Sequence, residues 1–143
     1  MGNVRSSGGR ISHPTSVAKT TGGVLTAADL VSGYIVADAN AGLLTLSIPN
    51  VETILAAFEL NGQTMAAGDQ FEVTFVRGVN GAGNLAIDAA AAAPVTNHAV
   101  TWATGLAPIA LTAAAGAASH VCKLIFEVTS LLTPSIRIHS IVG

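Results

Sequence analysis

Four histidines, one cysteine and eight carboxylates are the groups of this 143-residue chain best suited to chemistry. Their spacing gives little for chemistry to use. His13, His98, His120 and His139 are not paired with one another or with a cysteine at the spacings that metal motifs favour. His120 and Cys122 would share one face of a strand, but two ligands without local partners do not make a metal site. Cys122 stands alone, so no intrachain disulfide forms, and between Val121 and Leu124 it reads as a small buried thiol. The acids are scattered singly. Asp38, Asp69 and Asp88 fall where strands end, the usual place for an aspartate that serves a turn. Gly81-Ala82-Gly83-Asn84-Leu85-Ala86 fits the dinucleotide pattern G-x-G-x-x-A. That fold needs a helix here, to bring its N-terminus to a pyrophosphate. Leu85, Ile87 and Ala89 alternate as a strand instead, so the segment reads as a hairpin loop. No nucleophile elbow G-x-S-x-G occurs. The expectation is a chain that is not an enzyme and uses no cofactor or metal.

Composition points the same way. Half the residues are apolar and only 10% are charged, against about 25% in an ordinary soluble domain. So few charges coat a monomer's surface poorly, so part of that surface is expected to be covered by other subunits. The net charge is −2 but unevenly spread. Residues 1–23 hold Arg5, Arg10 and Lys19 and no acid, a net +3; the remainder holds three bases and eight acids, a net −5. The basic segment is Gly/Ser-rich and lacks hydrophobic periodicity. It reads as an extended arm suited to an acidic neighbouring surface, with Arg5, Arg10 and Lys19 as its contacts. Three charges without aromatics do not suggest nucleic acid. No apolar run is long enough to cross a bilayer, and Met1 to Arg10 lacks the apolar stretch of a secretory signal, so no membrane role or export signal is expected.

The elements that must position these residues are mostly strands. After Gly22-Gly23 the expected domain occupies residues 24–143. Thr26 caps a single helical turn. Tyr34 to Ala37 and Leu44 to Ile48 read as strands, the second with Leu44, Leu46 and Ile48 on one face. The one convincing helix starts at Asn50, with Val51, Ile54, Leu55 and Phe58 at amphipathic spacing, and breaks at Asn61-Gly62. Phe71, Val73 and Phe75 alternate with Glu72 and Thr74 in the strongest strand of the chain. Residues 89–120 are rich in alanine, a helix former, but Pro94, Gly105, Pro108 and Gly116 interrupt any helix. Short strands and loops are expected there. Trp102 reads as core packing or a contact between subunits. Val121 to Val128 and Ile136 to Ile141 complete the set. The fold class is all-β: a β-sandwich or jelly roll of about seven or eight short strands, with one short helix and an extended N-terminal arm. No repeat of 20–50 residues is visible.

Thr26-Ala27-Ala28-Asp29-Leu30-Val31-Ser32-Gly33-Tyr34-Ile35 resembles the opening of a family of small viral decoration and minor capsid proteins found in tailed phages and large DNA viruses. The likeness continues through Leu44-Thr45-Leu46-Ser47-Ile48-Pro49, the short helix, and Gly68-Asp69-Gln70-Phe71-Glu72-Val73-Thr74-Phe75, covering roughly residues 24–128. The family's Pro-Thr is replaced here by Pro49-Asn50, and the arm lies outside the resemblance. The resemblance implies a virion structural protein: a cement subunit on the capsid surface, made in the host cell, trimeric, and bound to a major capsid protein or neighbouring capsid subunits. A fibre or spike head that binds a receptor is the alternative. Removing residues 1–23 is expected to spare the fold and weaken attachment to the particle.

Overall fold

The computed structural model describes residues 16–38, 42–78, 83–88, 99–103, 109–111 and 121–142. Its elements run β1 (Val17–Lys19), β2 (Gly23–Val24), α1 (Ala27–Ser32), β3 (Tyr34–Ala37), β4 (Leu44–Ser47), α2 (Val51–Leu60), β5 (Gln70–Arg77), β6 (Leu85–Asp88), β7 (Ala99–Trp102), β8 (Ile109–Leu111), β9 (Val121–Ser130) and β10 (Ser135–Val142). The protein is therefore sheet-rich, with ten strands and two helices among the described residues. The extra strands are the shortest ones, too brief for alternation to register.

The strands form two sheets. One has the order β1-β3-β5-β9-β10-β7 and the other β2-β4-β6-β8. From β1 to β6 the chain visits the sheets in turn, so each strand meets the one laid down a circuit earlier. Those neighbours are parallel: β1 with β3, β3 with β5, β2 with β4, and β4 with β6. A parallel pair needs a long crossover, and here each of the four crossovers is a strand of the other sheet plus a helix, α1 or α2. The second half changes direction. β9 is antiparallel to both β5 and β10, β8 is antiparallel to β6, and β7 runs parallel to β10. A jelly roll is built of antiparallel neighbours, so the winding of the first half departs from that pattern. The circuits differ in length: Val17 meets Ile35, whereas Tyr34 meets Thr74. That inequality is why no repeat appears in the sequence.

Inward residues of both sheets and of α2 join one apolar cluster, including Ile35, Leu46, Ile54, Val73, Ile87, Leu124 and Ile138. Phe71 links the helix to the sheet within it, with its ring 4.5 Å from Phe58 of α2 and stacked 4.6 Å from Phe126 of β9. The alternation along β5 appears as expected, with Phe71, Val73 and Phe75 buried. Asn50 caps α2 by accepting the Thr53 amide at 2.8 Å. Val51, Ile54 and Phe58 are fully buried; Ala57 is buried as well, and Leu55 packs at the margin. The wider buried stripe reflects a helix covered by the core below and by α1 beside it.

Candidate functional site

The first polar constellation joins β1 to α1. Thr26 and Asp29 form a capping box: the Asp29 amide donates to Thr26 Oγ1 at 3.3 Å, and the Thr26 amide donates to Asp29 Oδ2 at 2.7 Å. Gly33 ends the helix with φ 73°, a left-handed turn that suits glycine. Lys19 lies in register with the buried Ala37, so its side chain turns to the inner side of the sheet. Its ammonium reaches Asp29 Oδ2 at 2.7 Å. Burial pushes the Asp29 carboxyl up, but the Lys19 ammonium and the bonds from Thr26 outweigh it and hold the carboxyl below its ordinary 3.8. Lys19 thus closes the edge of the core over α1 instead of reaching away from the domain.

A second constellation lies where β3 and β5 end. Arg77 is 5% exposed, and its Nε donates to the Gly83 carbonyl at 2.8 Å, which fastens the entry to β6. Asp38 is in the same region, since a Cβ placed on Gly78 would lie 3.2 Å from its Cβ and Cγ. Asp38 Oδ1 is buried without a hydrogen-bond partner among the described residues. Of the three aspartates expected at turns, Asp69 performs that role directly by accepting the Ala66 amide at 2.7 Å. Gly83 and the β6 strand replace the helix that a dinucleotide site requires.

The outer face of the six-stranded sheet carries two cross-strand pairs. Lys123 Nζ lies 3.0 Å from Glu72, and His139 Nε2 lies 2.9 Å from Glu127. Both are open to solvent on one side, a setting in which such pairs add little stability. Cys122, directly behind this face, is fully buried and its thiol is pushed up to about 11 by burial. Trp102 packs against its own chain's core from β7, which edges the sheet, and its indole N–H is buried without a partner among the described residues. Arg5, Arg10, His13, His98 and His120 lie outside the described residues. Among the described residues no three His, Cys, Asp or Glu side chains gather as a metal site would require, and no helix is long and apolar enough to cross a membrane.

The boundary expected between residues 23 and 24 falls inside β2, and β1 is a working strand of the larger sheet. Sequence reasoning missed this because β1 and β2 hold five residues between them. The Thr26-x-x-Asp29 spacing does signal the capping box, but not the Lys19 partner. Among its exposed residues the described surface includes six large apolar ones. Leu132 is 98% exposed, Leu60 87%, Leu43 68% and Val24 59%, and Val121 and Leu131 are also open to solvent. No family model, curated protein or solved structure matches the chain.

Proposed function

We propose that this chain is a structural subunit that works by packing into a larger assembly, and that the assembly is a viral shell which it decorates as a cement protein. The observation that carries the reading is the surface: large aliphatic side chains stand exposed on a chain with 10% charged residues. A protein that worked alone in water would hide such side chains or dilute them with charge. The buried polar groups Asp29 and Arg77 bond within the fold, to Lys19, Thr26 and Gly83, and serve as fasteners. The two sheets around one core form a sandwich-like brace. A symmetric oligomer, a homotrimer in this reading, multiplies weak contacts to a major capsid protein into firm attachment. The family resemblance over residues 24–128 supports the viral setting.

The test is to add purified protein to particles lacking it and to measure both binding and the temperature at which the shell opens. Saturable binding with a raised opening temperature is the expected result. A protein that stays monomeric by light scattering and leaves particles unaltered refutes the reading. Binding to cells or glycans without a gain in particle stability would instead assign a fibre head.

A further inference from the structure

We propose that β1 is exchanged between copies: in the assembly each chain lays Val17–Lys19 along β3 of its neighbour, where the Lys19 ammonium meets Asp29 of the partner subunit. The inference rests on the reading above that copies of this chain assemble. Every contact the exchange needs is present within one chain. β1 pairs in parallel with β3, Val17 to Lys19 against Ile35 to Ala37. The Asp38 amide donates to the Lys19 carbonyl at 2.8 Å, and the Lys19 ammonium lies 2.7 Å from Asp29. Each copy carries both halves, so a neighbour's β1 fits the same place. Asp29 is 5% exposed, which selects a copy of this chain as the donor: a strand without the lysine would leave a buried carboxylate unmatched.

Little else holds β1. It edges its sheet, and β3 is its one neighbour among the described strands. Thr20 to Val24 are all exposed, and a cavity of about 140 Å³ is lined by Lys19, Thr21 to Leu25 and Leu46. The crossing to β2 is therefore not packed down onto the core. It is also short and tight. Three residues, Thr20 to Gly22, carry the chain from one sheet to the other. A Cβ on Gly22 would lie 2.8 Å from the Thr45 carbonyl oxygen, and Gly23 has φ 141°, a conformation left to glycine. Short hinges forced into such turns favour exchange, because opening the hinge releases the turn while the strand keeps its pairing.

Reach and symmetry locate the partner. Lys19 to Gly23 spans at most about 14 Å when extended. The neighbour's β3 must then lie against the side of the sandwich that β1 and β2 edge. A lone chain closes on itself, because its own β1 is present at an effective concentration on the order of mM. Inside an oligomer the neighbour's strand is as near, and the hinge decides. Exchange head to tail around a closed ring leaves no β3 bare, and the homotrimer of the assembly reading is such a ring.

The test uses the full-length protein. Ala18 and Val36 are in register across β1 and β3, and Cys122 is buried and spared. The single variants Ala18→Cys and Val36→Cys are unfolded together, refolded and treated with a short bismaleimide, and the products are weighed by mass spectrometry after denaturation. A covalent pair holding one chain of each kind is expected. In the double variant Ala18→Cys, Val36→Cys the link should join different chains and leave little chain linked within itself. An oligomer whose double variant is linked only within each chain overturns the exchange and leaves the cement reading standing. A monomeric protein linked only within each chain overturns the exchange and the assembly reading together. Links between chains in a protein that leaves shells unaltered would keep the exchange and overturn the cement reading.

Discussion

Lys19 and Asp29 meet across ten residues of sequence, and their pairing ties the last base of the basic segment to α1. Asp29 is 5% exposed and holds both the Thr26 amide and the Lys19 ammonium. Replacing it by asparagine leaves Lys19 unmatched and weakens the cap, which should cost about 1–3 kcal/mol at pH 7. The carboxyl titrates below 3.8 in the folded protein. Its stabilisation is therefore complete above the unfolded value and is lost as pH falls through the folded one. Urea midpoints of wild type and Asp29→Asn should differ at pH 7 and converge below pH 3.8; a constant gap would show that the charge is not responsible. Cys122 gives a second residue-scale expectation. A thiol moved from 9.0 to about 11 holds about 100-fold less thiolate at neutral pH. Maleimide labelling should be slow in buffer by at least that factor and rapid in denaturant.

Among the elements, the aromatic stack ties α2, β5 and β9 together through Phe58, Phe71 and Phe126. Phe71→Ala would open a cavity where helix and sheet meet, at a cost of about 3–5 kcal/mol. Leu60→Ala, on the exposed end of the same helix, should stay within about 0.5 kcal/mol. Denaturant melts of the two variants separate core from surface. The join between the sheets has its own constraint at Gly22. A Cβ there would sit 2.8 Å from the Thr45 carbonyl oxygen, so β2 could not lie against β4 unchanged. Gly22→Ala is expected to destabilise by about 1–3 kcal/mol, the usual cost of overpacking. An unshifted midpoint would show that the β2–β4 pairing contributes nothing to the global fold.

At the scale of the whole molecule, the winding decides where a truncation can safely fall. Removing residues 1–23 deletes β1, half of β2 and the Lys19 partner of Asp29. It bares the edge of β3 to the solvent. The chain 24–143 should lose on the order of 10 °C in Tm relative to the full protein. A cut before residue 16 leaves every described element in place and should change Tm little. Light scattering on both forms then reports on assembly: equal oligomers at residues 1–143 and 16–143 would place self-association in the body.

Local pattern carried much of this protein's design. Phe71, Val73 and Phe75 announced β5; Asn50 with Val51, Ile54 and Phe58 announced α2; Thr26 announced the start of α1. These signals are legible because burial on one face and a cap at one end are written within a few residues. The scarcity of charge was likewise open to inspection, and with it the expectation of a covered surface. Tertiary structure alone decided the partners. Alternation is the same for a strand with parallel or antiparallel neighbours, so nothing in Leu44 to Ser47 indicates pairing with Leu85 to Asp88 in parallel. Lys19 reads as a free cation until the circuit of β1, β2 and α1 returns Asp29 to it. Leu131 and Leu132 could have belonged to a core; only the β9–β10 pairing, which sets them in the turn between the strands, leaves them in water. Contacts made across tens of residues depend on loop geometry and on competition for one core, and neither is encoded in a local window.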